Sequence, residues 1–274
     1  MQAERARALH RFSERVAADR ANFPYALPHC WDTALAWLNQ FRGKVVWGQA
    51  ELVDDDPNSV GNLADRPGVV WNKMESLAER AEHEIVVENA YLLPNTKLPA
   101  VRALRERGVQ LRMLTNSLAT TDEIPVNAQY ANSRQELVDL GVELYEMKPY
   151  ADSRALYIAR PATSKAHLAL HGKVSVFDRK TVFIGSFNLD PRSMKLDTEM
   201  AFVVQSPPLA AQFLDAFAPD FAPENAWRIT DPEGSIAWIT QDPARPLIEP
   251  HDPASAWRRV LRRIEQMLPI AHLL

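Results

Sequence analysis

Between residues 69 and 147 the apolar positions switch between two periods. "VVWNKMESLAERA" and "KLPAVRALRERG" repeat them three and four apart, the spacing of helices with one buried face. "EIVVEN", "VQLRMLTN" and "VELYEM" are short apolar runs of the length expected for buried strands. A third helix is expected over "NAQYANSRQELVDLG", and Gly108 and Gly141 stop the second and third. Further on, "LALHGKVSVFD" and "TVFIGSFN" predict two strands joined at "DRK". "EMAFVVQS" predicts another strand, and residues 207 to 218 a closing helix. Alternation of this kind implies an α/β fold with a mixed, mainly parallel sheet flanked by helices.

The flanks follow other patterns. Residues 3 to 20 read as a polar helix and "CWDTALAWLNQF" as a more apolar one. "GKVVWGQAELV" alternates like a strand, "DDDPNSVG" is a loop by composition, and the proline-rich "DPARPLIEPHDPAS" is a connector. The chain therefore divides into a helical connector at 1–65, an α/β unit at 66–220 and a tail at 221–274. In the tail, "ASAWRRVLRRIEQML" sets Trp257, Val260, Leu261, Ile264 and Leu268 on one helical face. Arg258, Arg259, Arg262 and Arg263 lie on or beside the other. Two readings stand: an interfacial helix on anionic lipid, or a terminal helix docked on its own core with solvated arginines.

Composition removes several classes of function. The 274 residues are 46% apolar and 24% charged, with a formal net charge of −4. No global basic field points to nucleic acid, so an anion site must be local. Cys30 is the only cysteine, which excludes an intrachain disulfide and a cysteine-based zinc site and suits a reducing compartment. No stretch approaches the roughly 18 apolar residues of a membrane span, and the charged start has no run of signal-peptide length. The three aspartates at 54–56 read as a solvated turn, His29 beside Cys30 lacks an orienting partner, and His167 reads as an edge-strand histidine.

The candidate chemistry lies in "HGKVSVFDRKTVFIGSFN", residues 171 to 188. Strand side chains two apart share a face, so His171 and Lys173 are expected to point one way, as are Ser186 and Asn188. Gly185 permits close backbone approach. An imidazole, an ammonium, a hydroxyl and an amide converging on one volume suit a tetrahedral phosphodiester without a metal or other cofactor. Asp178 falls on the opposite face near the turn, in a structural position. Glu199, on the next strand, is a candidate to orient the imidazole through its second nitrogen.

The pattern His-x-Lys-x4-Asp-x6-Gly-Ser-x-Asn resembles the signature of the phospholipase D superfamily. "GSFNLDPRSMKLDTEMAFVVQSP", "AYLLP", "ALRERGVQLRMLTNSLATTD", "GVELYEMKP" and "LPIAHLL" are similar to its cardiolipin-synthase-like branch. The resemblance implies a phospholipase D-like half-domain at 66–220. It also implies a catalytic set of His171, Lys173 and Asp178, with Ser186 and Asn188 at the substrate phosphate and Glu199 behind His171. One departure is "VNAQY", where Asn127 stands in place of a histidine. The implied activity is phosphatidyl transfer or phosphodiester hydrolysis on phospholipid through a phosphohistidine.

Members of this branch usually carry two motifs in one chain, one per half; here there is one, and residues 1–65 resemble the segment that joins the halves. In-line displacement needs a nucleophile on one side of phosphorus and an acid on the leaving oxygen. One histidine cannot hold both places in a single step. The expected partners are therefore an anionic phospholipid and a second half-site, from a homodimer mate or a separate chain. Nucleic acid is not favoured. Two alternatives stand beside this reading: a truncated, non-catalytic lipid-binding half, and a nucleic-acid phosphodiesterase. The expected location is cytoplasmic, peripheral at the inner face of the cell membrane.

Overall fold

The computed structural model describes residues 10–11, 13–15, 35–36, 38–39, 42–57, 67–94, 97–150, 169–232, 234–240 and 247–274. The chain divides into two compact units, 1–45 with 154–166, and 46–153 with 167–274. Of the first, the described residues up to 39 are helical and Arg42–Lys44 form a 3-10 turn. His29, Cys30 and His167 lie outside the described residues.

The second unit is built on one sheet. Its strands are β1 (Gln49–Asp54), β2 (Glu84–Asn89), β3 (Gln110–Asn116), β4 (Glu143–Met147) and β5 (Lys173–Phe177). They continue with β6 (Thr181–Gly185), β7 (Met200–Gln205), β8 (Ala226–Thr230), β9 (Ala237–Thr240) and β10 (Leu247–Glu249). Their order across the sheet is β1-β7-β6-β5-β2-β3-β4-β8-β9-β10.

The sheet is mixed and flanked by helices, but it is mainly antiparallel, which corrects the expectation of a mainly parallel one. Only β2–β3 and β3–β4 run parallel among the described strand pairs. Those two pairs belong to the segment whose alternation is plain in the sequence, with a helical crossover after each strand. The β5–β6 pair is antiparallel because its connection is too short for a crossover, and β6–β7, joined through residues 186–199, is antiparallel as well. β5 also meets β2 antiparallel, Asn89 opposite Lys173. β1 and β8–β10, outside the 66–220 segment, extend the same sheet at its two edges.

Helices α1 (Val69–Arg80) and α2 (Leu98–Glu106) match their periodic segments. The single helix expected over 127–141 is instead two, α3 (Ile124–Ala131) and α4 (Arg134–Asp139). The break falls at Asn132-Ser133, residue types that favour helix ends over interiors. A short α5 (Pro191–Lys195), α6 (Pro207–Phe217) and α7 (Ala256–Gln266) follow.

Alternation along the central strands sorts two cores. Val174, Val176 and Val182 pack with Ala210 and Phe217 of α6. Ile85, Val87, Leu111, Met113, Phe177 and Phe183 join the larger core with Trp71 and Met74 of α1 and Val101 and Leu104 of α2. Phe187 is buried in that larger core, with Trp71 and Phe183 rings 5.9 and 6.5 Å away. Burying such a ring contributes about 1.5–3 kcal/mol, so the loop carrying Ser186 and Asn188 is anchored by the residue between them.

Candidate active site

The strands stop where the polar groups begin. Lys173 opens β5, Gly185 ends β6, and His171, Ser186 and Asn188 lie just beyond those ends. At Gly185 an added Cβ would lie 2.0 Å from the Met200 carbonyl oxygen, so only glycine allows β7 this close. Ser186 continues the ladder past the strand end, donating its N–H to the Met200 carbonyl at 3.0 Å and accepting from Met200 N–H on Oγ at 3.1 Å.

Lys173, Glu199 and Ser186 form one cluster. Glu199 is buried and its carboxylate accepts from Ser186 Oγ. Among the described residues no hydrogen bond joins Glu199 to the His171 imidazole, the contact anticipated from sequence; its partner is Ser186. The Lys173 ammonium donates to the His171 carbonyl at 3.1 Å and lies 5.9 Å from the centre of the Tyr91 ring. Burial pushes the Lys173 pKa down, while the carboxylates of Glu199, Asp190 and Asp122 pull it partly back. The His171 side chain is exposed. Asn188 is half-buried, and its Oδ1 is buried with no hydrogen-bond partner.

Asp178 stands at the other end of β5, roughly 16 Å away at about 3.3 Å per residue. It and Arg179, with φ of 50° and 55°, are the central residues of a turn closed by Lys180 N–H donating to the Phe177 carbonyl at 2.9 Å. Its carboxylate accepts from the backbone N–H groups of Glu82, His83 and Glu84 at 2.9, 2.8 and 3.0 Å. Burial raises its pKa, but those three donors outweigh burial and the net shift is downward. The side chain fastens the turn to the start of β2 and stands away from the Lys173 cluster.

Several residues of the site escaped the sequence reading. Asn89 donates to the Phe187 carbonyl at 3.2 Å and accepts from Leu189 N–H at 3.3 Å, holding the main chain on both sides of Asn188. Asn116, at the end of the neighbouring strand, binds the backbone of Leu170 beside His171. Asn127, the departure noted in "VNAQY", is buried and donates to the Asn116 carbonyl at 3.4 Å. Asp55 is not a solvated turn residue. It is buried and accepts from Val70 N–H of α1 at 3.1 Å and from Glu199 N–H at 3.1 Å. The signal that could have found the asparagines is a polar residue closing an apolar strand, a place where satisfied side-chain amides are common.

Glu88 lies beneath the motif. A Cβ at Gly172 would come within 2.9 Å of Glu88 Oε1, so a larger residue there would push the Glu88 carboxylate aside. Burial, assisted by the nearby Asp220 carboxylate, pushes the Glu88 pKa up to about 8.

The expected basic surface of α7 is turned inward. Arg258 donates to the carbonyls of Leu118 and Thr121, Arg259 to those of Asp252 and Ala254, and Arg262 to the Asp252 carboxylate. The apolar stripe is outside: Trp257 is 67% exposed and Met267 79%, with Val260, Ile264 and Leu268 also exposed. Arg263 is exposed as well. Among the described residues, no helix is long and apolar enough to cross a membrane, and no group of acidic, histidine or cysteine side chains is placed to hold a metal ion.

The family described as "Cardiolipin synthase, PLD-like domain" matches residues 74–221. Cardiolipin synthase C of Escherichia coli (strain K12) is 36% identical over 234 residues, covering 84% of this chain and 49% of that protein. Cardiolipin synthase B of the same organism is 29% identical over 126 residues, covering 46% of this chain and 26% of that protein. The chain thus spans about half the length of cardiolipin synthase C. Among solved structures, the phospholipase D family member Nuc from Salmonella typhimurium aligns with 17% identity and a TM-score of 0.48, over 67% of this chain and 100% of its own.

Proposed function

The chain belongs to the cardiolipin synthase, phospholipase D-like family, and on that footing we propose that it supplies one half-site for phosphatidyl transfer or hydrolysis on anionic phospholipid. The observation that carries this reading is the cluster at the ends of β5, β6 and β7. There a half-buried ammonium, a serine–carboxylate pair and the His171 main chain converge beside an asparagine amide. Lys173 neutralises a phosphate oxygen and the Asn188 amide donates to another, while Ser186 donates to a third only by exchanging its hydrogen bond to Glu199 for the phosphate. An imidazole nitrogen attacks phosphorus, forming a P–N bond as the bond to the leaving alcohol breaks. A second imidazole, from the other half-site, gives that alcohol its proton. Water or an acceptor alcohol then attacks phosphorus, the P–N bond breaks, and the second imidazole takes the attacking group's proton.

His171 supplies one of the two imidazoles; the other comes from a second copy or a separate chain. The test is turnover of phosphatidylglycerol vesicles by the purified chain, with oligomeric mass measured alongside. Activity that falls on dilution faster than protein concentration, and that vanishes in His171→Ala, is the expected result. Substantial turnover by folded His171→Ala overturns the site. A monomer that binds phosphodiester yet never turns over, and needs no partner chain, overturns the catalytic reading and leaves a non-catalytic lipid-binding half.

The same reading places the protein peripherally on the inner face of the membrane, with the exposed stripe of α7 in contact with lipid. Trp257→Ser with Ile264→Ser should weaken attachment to neutral and anionic vesicles alike. Unchanged attachment would remove the stripe from this role.

A further inference from the structure

Behind α7 lies a cavity of about 320 Å³ that shares no lining residue with the His171 site. That volume is at the lower end of small-ligand pockets, roughly 300–1,000 Å³. Arg134 enters from α4, Arg259, Arg262 and Arg263 from α7, and His251 and Asp252 from the segment before α7. Trp238 of β9 forms part of the wall.

Its charges do not balance. Arg134 is 3% exposed and lies with its guanidinium 4.8 Å from the Tyr130 ring and 4.9 Å from the Trp238 ring. Two carboxylates answer the cations. Glu146 lies 2.8 Å from Arg134 and accepts from Trp238 Nε1 at 2.8 Å. Asp252 lies 2.7 Å from Arg262 and 3.7 Å from Arg134. Arg259 donates from Nη1 to the neutral carbonyls of Asp252 and Ala254, and its charge reaches the Asp252 carboxylate only at longer range. Four guanidinium groups thus face two carboxylates. Nε of Arg134 and Nε of Arg262 are both buried without a hydrogen-bond partner, as are Oε1 of Glu146 and Oδ1 of Asp252. The two cations in excess are the half-buried Arg259 and the exposed Arg263, at the open side of the cavity, and buried donors such as the two Nε groups are normally paired.

We propose that this cavity binds a phosphate-bearing anion, either the phosphate of a phospholipid headgroup or free phosphate. Guanidinium forks match the oxygens of a phosphate in geometry and charge, and arginine stays charged at any physiological pH. The helix that lines the cavity with arginine carries the exposed apolar stripe on its other side. A lipid headgroup in the cavity would therefore keep its chains near that stripe. The proposal is independent of the catalytic reading, because it requires no turnover and none of the residues around His171.

The experiment follows the arginine Nε–H resonances of Arg134 and Arg262 in the full chain at constant ionic strength. Inorganic phosphate is titrated against a chloride control, and phosphatidylcholine vesicles are added with and without phosphatidylglycerol. Phosphate is expected to shift both resonances in wild type and His171→Ala alike. Arg259→Gln with Arg263→Gln should weaken that response about tenfold or more, the loss expected when charge-assisted hydrogen bonds to the anion are removed. Arg263→Gln alone, at an exposed position, gives a smaller loss and guards against a folding defect in the pair. A shift with phosphatidylglycerol vesicles as well identifies a headgroup site; a shift with inorganic phosphate alone identifies a free-phosphate site. No shift with either probe, or a response identical in the double variant, overturns the proposal.

Discussion

Asn116 is joined to Leu170 through both backbone groups of that residue. Its Oδ1 accepts from Leu170 N–H at 2.8 Å, and its Nδ2 donates to the Leu170 carbonyl at 2.9 Å. The same amide donates to the Ala90 carbonyl at 3.1 Å and accepts from Thr120 Oγ1 at 3.0 Å. A side chain thus takes the part of a neighbouring strand at the residue before His171.

Asn116→Asp keeps the acceptor for Leu170 N–H and loses both donated bonds; Asn116→Ala loses all four. A displacement of the order of 1 Å at a reacting group costs about a hundredfold in rate. In an active assembly kcat is therefore expected to fall about a hundredfold in Asn116→Ala and less in Asn116→Asp, with KM little changed. A purely structural role would lower the melting temperature and spare kcat measured well below it. Wild-type kcat in folded Asn116→Ala would refute the positioning role.

Lys173 should set an alkaline limit. Burial holds its pKa below the ordinary lysine value of about 10.4, so it loses its proton earlier than an exposed lysine as pH rises. Affinity for dimethyl phosphate, whose charge is constant over this range, is expected to fall through a midpoint below that value. The binding is read at the His171 imidazole resonances. Lys173→Arg keeps its charge and should abolish the limb; an unchanged limb would assign it to another group.

Glu88 predicts a stability profile. Its folded pKa of about 8 lies above its ordinary value of 4.5, so its contribution is intact below 4.5 and is lost as pH rises toward 8. Glu88→Gln cannot titrate. Its denaturation midpoint, compared with wild type, should be similar near pH 4 and relatively higher near pH 8. A constant difference across that range would show that Glu88 titrates normally.

Asp178 predicts the opposite slope. Its folded pKa is depressed, so its stabilising effect is present above the ordinary aspartate pKa of about 3.9 and fades as pH falls through the folded value. Asp178→Asn should lower the denaturant midpoint at neutral pH, and the gap should close in acid. If Asp178→Asn instead abolishes phosphodiester binding at full stability, the residue acts in the chemistry and not in the turn.

The sequence by itself determined α1, β2, α2, β3 and β4, because each of these segments carries one unbroken period and a glycine or polar stop. It also singled out His171, Lys173, Ser186 and Asn188, which lie at or just beyond the ends of β5 and β6, since the residue types and their spacing are local information. Strand direction was decided by tertiary structure: β5 is an apolar run whether it meets β2 parallel or antiparallel, and only the long-range pairing of Lys173 with Asn89 fixes which. The partner of Glu199 was likewise out of reach, because hydrogen bonding to Ser186 depends on the β6–β7 register and on Asp55 holding the Glu199 main chain. The helical period of α7 separated its arginines from its apolar stripe but could not say which side faced the protein. Asp252, Leu118 and Thr121 decided that, since buried carbonyls and a carboxylate need donors that only the arginine face supplies.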